Sequence, residues 1–201
     1  MLGGSFNPPH LGHIALAREV IALGYQKVIF VPAGIRPLKA MAAGASDSDR
    51  LAMTRLAAAD CPAFAVDSCE MERDGPSYTY DTIGYLEKKY GGGLDGKIAL
   101  IIGDDLLAGF DEWRHSGELP RKADIIIARR FAEDNALSAI PSFPHIELGN
   151  RLVSISSSDI RERIADGRAW EHLAGEGVSG YIKRAKLYGY GTLRRRFKCA
   201  V

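Results

Sequence analysis

The sequence lacks any long hydrophobic run. Its longest continuous apolar stretch, residues 98–102, holds five residues, whereas a membrane-spanning helix needs about 20. The first residues also lack the basic stretch followed by an apolar core that marks a secretory signal. We therefore expect a cytoplasmic protein with no membrane partner.

Cysteine is scarce. Cys61, Cys69 and Cys199 are an odd number, and no two of them have the CxxC spacing. This pattern argues against both a disulfide framework and a zinc site, and it suits a reducing compartment. We predict no metal site built from protein side chains.

An excess of charge of one sign is missing too. The chain has 26 basic and 25 acidic residues, so its overall field gives no reason to expect a nucleic-acid partner. The exception is a cluster in the last eight residues, Arg194, Arg195, Arg196 and Lys198. A basic terminus is more often a solvated end than a binding patch. We expect one domain over residues 1–189 and a basic tail over 190–201.

What the sequence does have is an alternation of short apolar runs with amphipathic stretches. Strands are predicted at 28–31, 97–103 and 123–130, and at 64–73 nearer an edge of the sheet. Helices are predicted at 13–23, 48–59, 77–91, 156–167 and 177–188. The pattern indicates an α/β fold with a doubly wound, Rossmann-like parallel sheet and helices on both faces. Ligands of such sheets bind outside the carboxyl ends of the strands.

The segment GGSFNPPHLGH, residues 3–13, places two histidines in a frame of glycine and proline. The glycines allow a tight turn, the prolines keep a helix from starting before His10, and Gly12 removes bulk between His10 and His13. Two imidazoles beside the free N–H groups of a helix start make a phosphate cradle. The alternative is that one histidine caps the helix and the other is a core residue.

A second segment, SISSSDIRERI at 154–164, places serines and an aspartate at a predicted helix start, with Arg161 about one turn further on. The serines alone would be a helix cap. The guanidinium matches phosphate oxygens in a fork, so Arg161 favours a second phosphate site. Together the two segments indicate a polyphosphate held between two helix N-termini. The GxxxxGK[ST] pattern is missing, which excludes a P-loop enzyme.

With these two motifs the chain resembles the nucleotidyltransferases of the HxGH class, and among them the bacterial nicotinate-nucleotide adenylyltransferases. GGSFNPPHLGH contains GxFxPxHxGH, and ISSSDIR is close to the family's ISSTxIR. Further matches follow in the family's order: FVPAG and Lys39, GPSYTYDT (75–82), IIGDDLL (101–107), Trp113, Arg130 and YIKRAKLYG (181–189).

The resemblance implies that ATP and nicotinate mononucleotide are joined into nicotinate adenine dinucleotide, with release of pyrophosphate. The mononucleotide phosphate would attack the α-phosphorus directly, and Mg²⁺ would sit on the phosphates, largely coordinated by water. His10, His13, Lys39 and Arg161 would be catalytic, with Lys39 supplying a mobile charge from the 34–46 loop. The full set implied for ATP is Gly4, Ser5, Phe6, His10, Gly12, His13, Gly103, Asp105, Ile155, Ser156, Ser157 and Arg161.

For the acceptor, the resemblance implies that Trp113 stacks on the pyridine ring, while Thr79 and the backbone N–H of Tyr80 hold the carboxylate. Arg130 would hold the acceptor phosphate, and Asn7, Lys39 and Asp105 would also contact the acceptor. From the residues alone, a place in the core is the more common role for Trp113, and a surface ion pair is the alternative role for Arg130.

The chain departs from the family at three places. Only Met1 and Leu2 precede the glycine pair where a hydrophobic strand is usual. We therefore expect the sheet to lose a member, and the numbering either to start inside the natural chain or to reflect a misassigned first codon. Leu38 stands where a histidine is usual, and Arg114 where an aromatic residue is common.

Other functions remain open at this point. They are another HxGH transferase, with nicotinamide mononucleotide, pantetheine phosphate or glycerol phosphate as acceptor, and a module that binds nucleotides without turnover. A third is binding of a nucleic acid through the basic tail, which rests on four residues only. A homodimer is compatible with all of these functions.

Overall fold

The computed structural model describes residues 1–34, 44–129, 141–150 and 154–192. Six parallel strands form one sheet in the order β3-β2-β1-β4-β5-β6. The strands are β1 (Leu2–Gly4), β2 (Val28–Pro32), β3 (Phe64–Val66), β4 (Ala99–Gly103), β5 (Asp124–Ala128) and β6 (His145–Leu148). This order confirms the doubly wound, Rossmann-like prediction and places β3 at an edge, as expected.

The central sheet does not lose a member beside the glycine pair, so that expectation was wrong. β1 is only three residues long, yet it pairs with β2 on one side and with β4 on the other. The backbone N of Met1 donates to Ala99 O at 2.6 Å, and Ile101 N donates to Met1 O at 3.0 Å. Two glycines can therefore serve as strand residues, because their hydrogen bonds come from the backbone alone.

Helices cover both faces of the sheet. They are α1 (Leu11–Ala22), α2 (Asp47–Ala58), α3 (Thr79–Tyr90), α4 (Leu119–Lys122), α5 (Ser157–Ala165), α6 (Glu171–Ala174) and α7 (Glu176–Ala185). All five predicted helices are present, with ends shifted by at most three residues. Short 3₁₀ segments lie at Gly91–Gly93, Asp104–Glu112 and Leu187–Gly189.

The core divides according to the alternation of side chains along the strands. Ile125 and Ile127 pack on one face of the sheet, in a cluster with Leu86 of α3 and Leu119 of α4. Ile126 packs on the other face, in a cluster with Val20 of α1. Both faces are buried, which explains why these strands have continuous apolar sequences instead of alternating ones.

A third cluster lies away from the sheet and joins helices distant in sequence. Met53 of α2, Ile160 of α5 and Ile182 of α7 are fully buried in it. The cluster therefore ties the helix that begins with the second motif to the rest of the fold. Within the described residues, no helix has both the length and the apolar character needed to cross a membrane.

Candidate active site

The first motif turns the chain from β1 into α1. Phe6 is fully buried with a left-handed backbone (φ 45°), and its ring meets His13 edge-on at 4.9 Å between centroids. His10 is the N-cap of α1, and its backbone N–H donates to His13 Nδ1 at 3.2 Å. The two imidazole rings lie 3.7 Å apart between centroids. The pair thus stands together at a helix N-terminus, as predicted.

The two glycines of this motif that matter most are places of close approach. A Cβ on Gly12 would lie 3.0 Å from His10 Nδ1, and a Cβ on Gly4 would lie 3.0 Å from the Phe6 ring. Such contacts are tighter than side chains normally tolerate. A side chain at position 12 would press on the His10 ring. The distance thus agrees with the prediction that Gly12 leaves space for the histidines.

The second motif docks onto the first. Ser157 Oγ donates to Pro8 O at 2.8 Å, and Arg161 Nη1 donates to Asn7 O at 2.7 Å. Arg161 Nη2 also donates to Ser158 Oγ at 3.1 Å. Since about 150 residues separate the partners, these bonds show that the fold brings the two sequence motifs into one site. The chain therefore holds two helix N-termini and a guanidinium against the same loop.

Ser156 has the cap role that was weighed as the alternative. It is the N-cap of α5, and its hydroxyl accepts from Asp159 N at 3.0 Å. Ile155, just before it, packs against the third cluster and lies near Gly12. In this structure the serines thus order the helix start and join it to the first motif. Their predicted contact with ATP stays a prediction.

Two residues of this site were missed from the sequence. Arg50 of α2 is 1% exposed, and it donates to Ser5 O at 2.8 Å and to Ala33 O at 2.7 Å. Tyr188, near the end of the described chain, donates to Asn7 Oδ1 at 2.8 Å. Neither lies after a strand, where ligand residues were sought, and their partners are distant in sequence. A clue was available only for Arg50, an arginine on the helix stripe that also carries the buried Met53 and Thr54.

The acceptor residues predicted on α3 lie at its first turn. Tyr78 is the N-cap, so Thr79 and Tyr80 are the first two helical residues. The N–H groups at these positions have no acceptor within their own helix. The Tyr80 ring lies 4.5 Å from that of His115 between centroids, and its hydroxyl donates to Glu118 Oε2 at 3.2 Å. The hydrogen bond from His115 lowers the pKa of the Glu118 carboxyl, and the hydrogen bond from Tyr80 lowers it further by a smaller amount.

The loop after β4 carries the other predicted residues. Gly103 ends the strand and caps the 3₁₀ segment Asp104–Glu112. Asp105 is exposed at the start of that segment, whereas Asp104 is buried. Trp113, directly after it, is half-buried and packs on Phe110 at 5.4 Å between ring centroids. Trp113 therefore lies at the margin of the core, between the two alternatives weighed from the sequence.

Arg114 lies against the first turn of α3. Its Cζ is 4.7 Å from the centroid of the Tyr78 ring, and its Nη1 is 3.9 Å from Asp81 Oδ2. The residue that departs from the family pattern thus stands beside Thr79 and Tyr80. Lys39 and Arg130, together with the unusual Leu38, lie outside the described residues.

No group of three or more His, Cys, Asp or Glu residues that could hold a metal ion occurs in the part of the chain that the structure describes. The donors brought together at the two motifs are imidazole, guanidinium and backbone N–H groups. These are partners for phosphate oxygens. The two motifs thus gather groups that suit an anion at the carboxyl end of β1.

Comparison with known proteins gives a consistent result. Residues 1–163 match the cytidylyltransferase-like family. The chain is 38% identical over 189 residues to a protein of Borreliella afzelii, covering 94% of this chain and 95% of the relative. It is 39% identical over 195 residues to one of Roseiflexus sp., covering 94% and 96%. Both relatives bear the name "Probable nicotinate-nucleotide adenylyltransferase".

Solved structures agree on the fold. A Plasmodium falciparum nicotinic acid mononucleotide adenylyltransferase complexed with NaAD matches with a TM-score of 0.74 at 18% identity, covering 96% of this chain and 97% of that one. A putative nicotinate-nucleotide adenylyltransferase from Vibrio parahaemolyticus matches with a TM-score of 0.62 at 17% identity, covering 93% and 92%.

Proposed function

The chain belongs to the cytidylyltransferase-like family, and from that premise we propose that it is a nicotinate-nucleotide adenylyltransferase. It joins ATP and nicotinate mononucleotide into nicotinate adenine dinucleotide and releases pyrophosphate, a step of NAD biosynthesis. The names of the relatives support this activity. The observation that carries it in this chain is the hydrogen bond from Arg161 to Asn7 O at 2.7 Å, beside the adjacent rings of His10 and His13.

In the proposed reaction, a phosphate oxygen of the mononucleotide attacks the α-phosphorus of ATP in line. The new P–O bond forms as the bond between the α-phosphorus and the bridging oxygen to the β-phosphorus breaks, and pyrophosphate leaves with that electron pair. The attacking phosphate is already ionised at neutral pH, so no strong general base is needed. Rate enhancement then comes from positioning and from stabilising the charge that develops on the phosphates.

The proposed roles on the ATP side rest on the family resemblance, and the meeting of the two motifs at one loop supports them. His10 and His13 donate to phosphate oxygens from the start of α1, and Arg161 holds the departing pyrophosphate from the start of α5. Gly4, Gly12 and Gly103 let the nucleotide approach the backbone closely. Ser5, Phe6, Asp105, Ile155, Ser156 and Ser157 complete the set proposed to contact ATP. Lys39 is proposed as a further catalytic cation because of the resemblance alone.

On the acceptor side, the first turn of α3 offers N–H groups to the nicotinate carboxylate. A carboxylate accepts from both backbone N–H groups. The amide group of nicotinamide has only one acceptor oxygen, so its own NH₂ group would face one of these backbone donors. We propose that Thr79 and Tyr80 select the acid in this way, with Trp113 stacked on the ring. Asn7, Lys39, Asp105 and Arg130 are proposed to bind the rest of the mononucleotide.

Mg²⁺ belongs to the proposal as the ion that accompanies ATP. The site faces the phosphates with cationic and N–H donors, so the ion would take its oxygen ligands from phosphate and water. When bound, it would neutralise part of the phosphate charge. We also propose a cytoplasmic location, with no membrane or nucleic-acid partner. The homodimer and the division into a domain over 1–189 and a basic tail over 190–201 are further proposals.

The experiment that tests this function is pyrophosphate release from ATP and Mg²⁺ with nicotinate or nicotinamide mononucleotide offered separately. We expect turnover with both substrates present and a clear preference for the acid. Equal rates, or a preference for the amide, would contradict the acid specificity. Release with pantetheine phosphate instead would favour the other HxGH transferase, and no release with any acceptor would favour a module that only binds nucleotides.

A further inference from the structure

Tyr188 joins the end of the described chain to the first motif. Its hydroxyl donates to Asn7 Oδ1 at 2.8 Å across 181 residues of sequence. The backbone O of the same Asn7 accepts from Arg161 at 2.7 Å. Asn7 itself is 1% exposed. The asparagine is therefore held from two sides, through its main chain by α5 and through its side chain by the segment that follows α7.

The backbone around Tyr188 has an uncommon, left-handed conformation. Tyr188 has φ 57° and ψ 26° inside the 3₁₀ segment Leu187–Gly189, and Lys186, which caps α7, has φ 51°. Left-handed conformations are unfavourable for residues other than glycine and persist only where the surrounding contacts enforce them. Two such residues so close together indicate that the contacts of this segment, including the bond from Tyr188 to Asn7, hold its backbone in this conformation.

The Tyr188 ring also meets the chain where it returns from the segment that carries Lys39. A Cβ on Gly44 would lie 2.8 Å from the Cδ1 atom of the ring. Gly44 has φ 129°, a conformation that side chains rarely adopt. No residue with a side chain would fit here without displacing the ring. One tyrosine thus contacts both the first motif and the end of a segment proposed to act on the phosphates.

The state of the hydroxyl is fixed. Burial raises the pKa of Tyr188, and the charge of Arg161 offsets this only in part. The group therefore stays protonated at neutral pH and acts as a donor. A donor at this position selects Oδ1 of the asparagine amide as its partner, which leaves the Nδ2 end of the amide turned away from the tyrosine.

We propose that Tyr188 is a positioning residue for the acceptor: its hydroxyl fixes the orientation of the Asn7 side chain, and with it the loop of the first motif at which the acceptor is proposed to bind. This inference rests on the proposed function and on the proposed role of Asn7 in acceptor binding. Tyr188 does not touch the reacting atoms. Its effect passes through one hydrogen bond to Asn7. Loss of this bond should therefore change KM for the acceptor more than the rate of the chemical step.

The test is Tyr188→Phe, which keeps the ring, and with it the contact to Gly44, but removes the donor. KM for nicotinate mononucleotide should rise about fivefold, the factor typical of one hydrogen bond, with kcat changed less than KM. Titration calorimetry with the mononucleotide alone, in the absence of turnover, should show the same rise in Kd, about fivefold. The matched control is Tyr181→Phe, since the Tyr181 hydroxyl donates to Asp49 Oδ1 at the same 2.8 Å. The control should show a comparable decrease in the free energy of unfolding and an unchanged KM for nicotinate mononucleotide.

A double-mutant cycle with Asn7→Ala identifies the route of the effect. If Tyr188 acts through Asn7, Tyr188→Phe has no further effect on KM once Asn7 is alanine. An equal effect in both backgrounds, or the same KM change in the Tyr181 control, would overturn the positioning role. Failure of the proposed function has a different signature: the wild-type enzyme then neither binds nor turns over nicotinate mononucleotide, and the inference falls with it.

Discussion

The two halves of the candidate site are built differently. On the phosphate side, Ser157 and Arg161 donate to backbone oxygens of Pro8 and Asn7, and His10 is 2% exposed. On the acceptor side, the partners are side chains with large exposed fractions. Arg114 and Asp81, for example, are 53% and 45% exposed and 3.9 Å apart.

This difference matches what each half has to do. Groups that stabilise charge in the transition state need fixed positions, because reorganising them during the reaction would raise the barrier. Bonds to backbone oxygens provide that rigidity whatever residues flank them. The acceptor half has to recognise a ring and one small substituent, and its partners are side chains that can be exchanged. The departure from the family pattern at Arg114 falls in this second half.

The largest effect is expected from His13→Ala on the phosphate side. Loss of one preorganised donor to a developing phosphate charge should lower kcat by about 10²–10³-fold. The measurement is the steady-state rate of pyrophosphate release at saturating substrates. His172→Ala, a change of the same type at an exposed position of α6, should keep the wild-type rate. A His13 variant with near-normal turnover would remove the cradle from the proposed mechanism.

Arg50→Met tests whether the hydrogen bonds of Arg50 stabilise the loops on the phosphate side. The variant leaves the buried oxygen of Ala33 and the partly buried oxygen of Ser5 without their donor, so the free energy of unfolding should fall by about 3 kcal/mol. Denaturant titration measures the loss. Arg55→Met, on the exposed side of the same helix, should change the free energy of unfolding by less than about 0.5 kcal/mol. Similar values for the two variants would mean that the buried contacts of Arg50 do not stabilise the loops.

The meeting of the two motifs on the phosphate side could be predicted from the sequence because the signals of these motifs are local. The glycine–proline frame, the histidine spacing and the serines before Arg161 each predict a turn or a helix start, and the alternation of elements places both at one edge of the sheet. Arg50 and Tyr188 could not be found in this way. Their partners are backbone or side-chain oxygens at distant positions, and only the folded chain brings them together.

The missed elements have equally physical explanations. β1 was taken as lost because two apolar residues are too few for a buried strand, yet here glycines continue it through backbone hydrogen bonds. β6 was not predicted because His145 and Glu147 interrupt its apolar pattern, which is tolerable at the edge of a sheet. α4 and α6 are four residues each, too short to show a helical period.

Trp113→Ala probes the acceptor half and should have an intermediate effect. Loss of the stacking surface should raise KM for nicotinate mononucleotide about tenfold, while KM for ATP stays near the wild-type value. Because Trp113 also packs on Phe110, Trp113→Phe serves as the control that keeps a ring in place and should recover most of the loss. Equal increases in KM for both substrates would show that the tryptophan supports the fold instead of the acceptor.

The smallest effect concerns Arg114. Its guanidinium places a positive charge beside the first turn of α3, which favours a carboxylate over an amide at the same position. The charge is exposed and faces Asp81, so Arg114→Gln should lower the ratio of kcat/KM for the acid to that for the amide by only about two- to fivefold. Asp81→Asn should move the ratio the other way, since it removes the opposing charge. Both shifts should shrink at high salt. If the ratio is the same in both variants and in the wild type, acid preference comes from the N–H groups of Thr79 and Tyr80 alone, and the unusual arginine has no part in specificity.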